Sequence, residues 1–375
     1  MASLSLKNVT KIYRREVRAV ENFNLDIDDK EFVVLCGPSG SGKSAILRMI
    51  AGLDNVSSGE IYMDSRRIDM VPAKERDVAI VSHDRALNSF QNIHKNIQAG
   101  LKGLGLSAAE AEQRVKEAAE LLDLTQLLDR KPKTLSEGQK QRVLLARAIA
   151  RRPKVLLLDN PLSDLDLRTR SRLRTRIGML HKQLQATFIL VTNDYIEAMT
   201  MGTRVIVMGD GHIQQSDTPQ NLYDFPENRF VAGFMGEPEM NIIKVKLQVV
   251  SGEGVFAVFG DNRVKIPNGK LQRFTSDSYI GKEVYMGIRS ENLHDEDAFL
   301  SMAEDCVIEA TIEHIESLGS EMRLFLTVDG HDRPLIARVY PRSLVSPGNR
   351  ISIGFDINRT HFFDADTEKT ILMRI

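Results

Sequence analysis

An α/β core with a largely parallel sheet, followed by a smaller all-β region, is the fold class this sequence predicts, and three observations predict it. Short apolar runs at residues 32–36, 155–159, 187–191 and 204–208 alternate with segments whose apolar residues recur at helical spacing, the grammar of strands buried between helices. Past about Gly236 that grammar stops, and residues 245–250, 282–286, 307–312 and 323–326 are short strand patterns separated by turns, which suits small β-barrel or sandwich units. Between the first run and its helix stands Gly37-Pro38-Ser39-Gly40-Ser41-Gly42-Lys43-Ser44. Strand, glycine-rich turn and helix are the setting that a G-x-x-x-x-G-K-[ST] match requires.

Each element has its own justification. Leu4, Leu6 and Val9 open a strand, and Phe23, Leu25 and Ile27 alternate with polar residues in another. Tyr13 lies between them, placed either to stack on a nucleotide base or simply to pack an edge. In the glycine-rich turn, residues without a Cβ let backbone N–H groups approach phosphate oxygens, and the following helix adds the positive end of its dipole. Lys43 would set its ammonium between the outer phosphates and the Ser44 hydroxyl would ligate Mg²⁺, so the chain is expected to bind a nucleoside triphosphate. Residues 59–63 and 77–81 are further strands. Ser107-Ala108-Ala109-Glu110 reads as a capping box leading into a helix through Leu122, Pro132 breaks the pattern, and a second helix starts near Ser136. The run 155–159 ends on the carboxylate of Asp159, and a long basic helix spans 167–184. Its arginines at 168, 170, 172, 174 and 176 read as a solvated face.

Whole-chain properties exclude several function classes. The 375 residues carry a formal net charge of −1 with 42% apolar and 27% charged side chains, a soluble globular composition that gives no reason to propose a nucleic-acid partner. No apolar run approaches the ~18–20 residues needed to cross a bilayer, and no signal peptide is recognisable. A cytoplasmic chain without direct membrane insertion is expected. Of two cysteines, Cys36 sits on the strand entering the glycine-rich turn, where a small buried thiol fits better than a disulfide half.

Taken together, Tyr13, the phosphate loop, Leu135-Ser136-Glu137-Gly138-Gln139 ahead of a helix, Asp159 at a strand end and Ser163-Asp164-Leu165-Asp166 resemble the ATP-binding subunit of an ABC transporter. Further on, Phe225-Pro226-Glu227-Asn228-Arg229-Phe230 and Ile288-Arg289-Ser290-Glu291 resemble the maltose- and multiple-sugar-importer branch, with Ser290 where an IRPE segment has proline. The resemblance runs essentially end to end. It implies a P-loop NTPase of ABC type at 1–235, with a helical subdomain at about 84–151, and OB-like regulatory barrels of TOBE type at 236–375. It assigns nucleotide contacts to Tyr13, Ser39, Gly40, Ser41, Gly42, Lys43, Ser44 and Ala45. Ser136, Gly138 and Gln139 would reach the nucleotide of an opposite subunit, and Ser44, Asp159 and the His83 position would hold Mg²⁺. Implied partners are a second ATP-binding subunit, as homodimer or heterodimer, and transmembrane permease subunits at the inner face of the membrane.

Departures from the family pattern bear on chemistry. The glutamate that handles the attacking water is replaced by Asn160, the switch histidine by Asn193, and the glutamine that senses Mg²⁺ by His83. Glu137 stands for the first glycine of the signature, and the docking segment for transmembrane subunits reads Arg85-Ala86-Leu87-Asn88-Ser89-Phe90 without its usual proline. An amide can orient water but cannot take a proton at neutral pH. The expected function is an ATP-binding subunit of an ABC importer, for carbohydrate, with impaired hydrolysis. The alternatives are a working ATPase that tolerates these changes, and a non-transporting ATP-binding regulator or scaffold on the same fold.

Overall fold

The structure, a computed structural model, describes residues 2–82, 87–341 and 345–374. Contacts divide the chain into two compact units, Met1–Gln220 and Asn221–Ile375.

In the first unit the strands are β1 (Leu4–Ile12), β2 (Arg18–Ile27), β3 (Phe32–Cys36), β4 (Ser58–Met63), β5 (Arg66–Arg67), β6 (Val78–Ser82), β7 (Val155–Asp159), β8 (Thr187–Thr192), β9 (Arg204–Gly209) and β10 (His212–Asp217). The helices are α1 (Lys43–Ala51), α2 (Ile93–Gln98), α3 (Ala108–Leu121), α4 (Glu137–Ile149), α5 (Leu167–Leu184) and α6 (Tyr195–Met201). Two sheets result. Strands β2, β1, β4 and β5 form an antiparallel sheet, while the six-stranded sheet has the order β10-β9-β3-β8-β7-β6 and is parallel except for its β9–β10 edge. Every residue of β3, β7 and β8 is buried, as strands covered on both faces must be, which is why they read as unbroken apolar runs. Strands β1 and β2 alternate instead, with Leu4, Leu6, Phe23, Leu25 and Ile27 all turned inward.

Parallel register does the positioning. Cys36 at the end of β3 pairs with Thr192 at the end of β8, and Asp159 at the end of β7 pairs with Val191 and with Ser82. The phosphate loop, Asp159-Asn160 and Asn193 therefore leave neighbouring strands at one carboxyl edge, the place where open α/β sheets bind ligands. Helices α2, α3 and α4 fall between β6 and β7 in sequence, where the helical subdomain is expected. The predicted capping box is present: Ser107 Oγ accepts from Glu110 N at 3.3 Å, and Glu110 Oε2 accepts from Ser107 N at 2.9 Å. Helix α5 buries Leu173, Ile177 and Leu180 along one stripe.

The solvated-face reading of its arginines needs a correction. Arg168 and Arg172 are exposed, but Arg176 pairs with Asp123, and Arg170 donates to Ser163 O at 3.2 Å, Leu165 O at 3.4 Å and Asp194 Oδ2 at 3.3 Å. An arginine one turn into a helix can reach back to the loop that precedes it, so Arg170 fastens that loop rather than facing water.

The second unit is β-rich. Helices α7 (Pro219–Asp224), whose last turn lies in it, and α8 (Arg229–Phe234) precede strands β11 (Asn241–Val250), β12 (Gly254–Phe259), β13 (Asn262–Ile266), β14 (Glu283–Ile288), β15 (Leu293–His294), β16 (Val307–Ser317), β17 (Met322–Thr327), β18 (Leu335–Val339), β19 (Arg350–Phe355) and β20 (His361–Asp364). They form two five-stranded antiparallel sheets, β13-β12-β11-β14-β20 and β15-β19-β16-β17-β18, whose inner residues, among them Ile243, Val245, Leu247, Ile312, Leu324 and Phe355, share one core. The grammar of the sequence changes at Gly236, but the stretch 221–235 is bound into this unit. Arg229 N donates to Glu368 O at 2.9 Å, and Arg289 donates to Tyr223 O at 2.7 Å and Met235 O at 2.6 Å.

Candidate nucleotide-binding site

The loop between β3 and α1 is shaped by where a side chain cannot go. Gly42 has φ +93° as the N-cap of α1, and a Cβ there would lie 2.3 Å from Ala19 O; only glycine meets both conditions. Lys43 follows and is 4% exposed. Its Nζ donates to Gly37 O (2.9 Å), Pro38 O (2.7 Å) and Ser41 Oγ (2.9 Å). All three acceptors are neutral, and burial pulls the ammonium down to about 8 although the nearby Asp159 carboxylate acts against that shift. A buried cation whose direct partners are all neutral, inside a glycine-rich loop, is a receptor for an anion.

Beside it, Ser44 Oγ donates to Asp159 Oδ1 at 2.9 Å. A hydroxyl and a carboxylate in contact at the carboxyl edge of the sheet are hard oxygen donors. They suit Mg²⁺, which takes one or two protein oxygens and fills its remaining positions with phosphate and water. Asn160 adopts φ +46° and its N–H donates to Val191 O at 3.0 Å, while its amide Nδ2 donates to the same Asp159 Oδ1 at 3.2 Å. Asparagine is among the residues that tolerate this left-handed backbone best. Asn193 Nδ2 donates to Ser39 Oγ at 3.1 Å. Hydrogen bonds thus join Lys43 to Ser41 and, one residue on in the chain, Ser44 and Asn160 to Asp159, with Ser39 and Asn193 tied to each other beside them. Cys36, directly beneath, is a free buried thiol pushed up to about 12 by burial.

Other expected site residues stand apart in their bonding. Tyr13 donates its hydroxyl to Asp54 Oδ2 at 2.8 Å, has Lys11 Nζ 4.8 Å from its ring centroid, and is raised to about 12 by burial and then by that bond; among the described residues no hydrogen bond joins it to the phosphate loop. Ser136 and Gln139 form a capping box on α4, with Ser136 Oγ accepting from Gln139 N at 3.3 Å and Gln139 Oε1 from Ser136 N at 2.9 Å. A Cβ on Gly138 would lie 2.3 Å from Thr169 Cγ2, so α4 meets the first turn of α5 there. Glu137 Oε1 accepts from Lys140 Nζ at 2.6 Å, an exposed pair that offsets part of its charge. Asn160, Glu137 and Ser163 line a common cavity of about 340 Å³. His83, Asp84, Arg85 and Ala86 lie outside the described residues; of the docking segment, Phe90 is 90% exposed.

Comparison with known proteins agrees with this geometry. The ABC transporter family model matches residues 20–163, the MalK OB fold domain model residues 236–293, and the TOBE domain model residues 286–363. The oligosaccharides import ATP-binding protein MsmX of Bacillus subtilis is 45% identical over 371 residues, spanning 99% of this chain and 100% of the relative. The chain belongs to the ATP-binding proteins of the ABC transporter family. Trehalose/maltose import ATP-binding protein MalK of Thermococcus litoralis is 42% identical over 378 residues, 99% of this chain and 100% of that one. Among solved structures, the dimeric post-hydrolysis ATP-binding cassette MJ0796 bound to ADP and Pi matches with TM-score 0.52 and 32% identity, over 58% of this chain and 98% of that one. CbiO1 from Clostridium perfringens, part of the ABC transporter complex cbiONQ, matches with TM-score 0.55 and 28% identity, over 58% and 89%. As an ABC-type P-loop fold followed by OB and TOBE domains, the chain has the architecture its sequence predicts.

Sequence reasoning missed one residue near this site and one at the far end of α1. Arg170 holds the 163–166 loop to Asp194, the N-cap of α6, whose Oδ1 accepts from Ile196 N and Glu197 N; no sequence signal distinguishes it from its neighbouring arginines. Arg76 closes the carbonyl end of α1, donating to Met49 O at 2.6 Å and Ile50 O at 3.1 Å. The helix start near Ser136 was read from the sequence, whereas the capping box of Ser136 and Gln139 was not.

Proposed function

We propose that this chain is the ATP-binding subunit of an ABC importer for carbohydrate, and that it gates or powers transmembrane subunits through nucleotide-driven dimer closure with impaired hydrolysis. The backbone of Gly40 to Gly42, with Ser39, Ser41 and Ala45, cradles the phosphates, and Lys43, whose direct acceptors are all neutral, supplies the charge. Ser44 and Asp159 hold Mg²⁺, which supplies charge neutralisation at the outer phosphates. The names of MsmX and MalK support carbohydrate as the solute class. Ser136, Gly138 and Gln139 face the nucleotide of an opposite subunit, identical or not, and a peripheral cytoplasmic position follows from the transmembrane partners. No helix among the described residues is long and apolar enough to cross a membrane.

Impairment rests on Asn160. Its Nδ2 already donates to Asp159, which leaves a carbonyl that orients water but accepts no proton. Positioned acid–base groups contribute ~10²–10⁴-fold. Asn193 lends Ser39 a hydrogen bond and cannot carry an imidazole's charge.

The test is steady-state ATPase activity measured beside ATP binding on the purified chain. We expect thermal stabilisation by millimolar Mg-ATP, abolished in Lys43→Ala because a ligand stabilises in proportion to its occupancy, together with slow turnover. Absence of any stabilisation in the wild-type chain overturns the nucleotide reading. A soluble regulator or scaffold on the same fold is the rival, favoured by the altered docking segment. Co-purification with a transmembrane subunit separates the two.

A further inference from the structure

The second unit encloses a cavity of about 500 Å³, lined from five stretches of chain that include Tyr223–Glu227 at one end and Thr370–Arg374 at the other. Five lysines and arginines line it against three carboxylates, so it carries surplus positive charge. Two of the cations, Lys270 and Arg289, are each only 4% exposed. Neither makes an ion pair among the described residues. Lys270 Nζ donates to Asn358 O at 3.0 Å and Thr360 O at 2.5 Å. Arg289 lies 3.5 Å from the centroid of the Tyr223 ring and donates Nη1 to Met235 O and Nη2 to Tyr223 O.

Those carbonyl bonds explain both side chains as ties between segments, but only in part. They leave Arg289 Nε buried with no acceptor and one Nζ proton of Lys270 unassigned, and carboxylates act on the two cations only across space, Glu291 and Asp224 on Arg289 and Asp356 on Lys270. Burying a cation that no carboxylate contacts directly is costly. The nearest carboxylate of the motif, Glu291, accepts instead from the Tyr223 hydroxyl. At the rim, Arg359 is exposed, and its side chain has no hydrogen-bond or ion-pair partner among the described residues. The cations are close enough to act on one another: burial and then the charges of Arg289, Lys270 and Arg273 push His361 down to about 3, and burial pulls Lys270 down to about 7.

We propose that this cavity is a binding site for a small phosphorylated metabolite of the sugar-phosphate class. A phosphate dianion matches the surplus of positive charge and the planar donor geometry of arginine. The cavity exceeds what phosphate alone needs and falls within the size range of metabolite pockets. Asn292, Asn358 and Glu227 on its walls are the acceptors and donors that hydroxyl groups require. The site is separate from the phosphate loop and does not rest on the nucleotide reading. It places a response to an intracellular phosphate ester on the β-rich unit.

The experiment titrates the full-length Lys43→Ala chain, which removes the phosphate-loop cation, with glucose 6-phosphate, inorganic phosphate and glucose by calorimetry. We expect saturable binding of glucose 6-phosphate at one site per chain, none of glucose, and an affinity about tenfold weaker in Arg359→Gln, the cost of one charge-assisted hydrogen bond. Arg359 is exposed, so its variant should melt like the parent without ligand. Arg273→Gln, at the same cavity, gives a second reading if Arg359→Gln alters folding. Binding of inorganic phosphate with none of glucose 6-phosphate would overturn the sugar-phosphate assignment while keeping the anion site. Failure of both to bind at ~10 mM, weaker than the usual affinity range, or binding that neither substitution weakens, overturns the site itself.

Discussion

At the scale of single residues, Lys43 and Asn160 set what the site can do. Burial holds the Lys43 ammonium at about 8, against 10.5 for an ordinary lysine, because its partners are carbonyls and a hydroxyl rather than a carboxylate. Phosphate binding needs the protonated form. Above about pH 8 the ligand-free chain sheds that proton, and each further pH unit should weaken Mg-ATP binding by up to tenfold. An ordinary lysine would keep the affinity level to about pH 10. Dissociation constants measured from pH 7 to 9.5 distinguish the two, and a level profile contradicts the account of Lys43 as a buried cation with a lowered pKa. Asn160 combines a left-handed backbone with an amide turned toward Asp159. Glutamate in its place restores a proton acceptor but strains a backbone conformation that costs most residues ~1–2 kcal/mol, so Asn160→Glu should melt somewhat below wild type.

At the scale of elements, the approach of α4 to α5 is fixed by the absence of one methyl group. A Cβ on Gly138 would meet Thr169 Cγ2 at 2.3 Å. Alanine gains about 1 kcal/mol of helix propensity over glycine, while overpacking costs ~1–3 kcal/mol and a β-branched threonine yields poorly. Gly138→Ala should therefore lower the melting temperature in the wild-type chain and raise it in a Thr169→Ala background. Equal effects in both backgrounds would mean that this contact does not set the helix spacing.

Much at this scale was legible in the sequence. Unbroken apolar runs mark β3 and β7 because both faces of those strands are covered, and the boundaries of α5 fall at 167 and 184 as expected because Asp166 caps it and its apolar stripe is continuous. What stayed hidden depends on pairing between distant segments. The separate antiparallel sheet of β1, β2, β4 and β5, the insertion of β3 between β8 and β9, and the register that aligns Cys36 with Thr192 carry no local signal. In the site, the phosphate loop and Asp159 were readable as motifs. The Asn160–Asp159 bond and the work of Arg170 were not, since both depend on where a side chain points after folding.

At the scale of the molecule, residues 221–235 distinguish a boundary in sequence grammar from a boundary in folding. Without them Arg289 loses both carbonyl acceptors, Tyr223 O and Met235 O, and several buried donors are left unsatisfied at ~1–3 kcal/mol each. A fragment of residues 221–375 should melt well above one of residues 236–375; equal melting would place the folding boundary at Gly236. The central proposal concerns the whole functional cycle: this chain binds Mg-ATP but turns it over slowly, because asparagines stand at two of its water-handling positions, Asn160 and Asn193. The most direct measurement is the ATP turnover rate of wild type beside Asn160→Glu and the triple variant Asn160→Glu, Asn193→His, Glu137→Gly. The account predicts a modest rise for the single change, because Glu137, at the signature position that would approach an opposite subunit's triphosphate, still sets a negative charge against closure. It predicts ~10²-fold or more for the triple, the range of positioned acid–base catalysis. Wild-type turnover already at ~1–10 s⁻¹, with no gain in the triple variant, would contradict it.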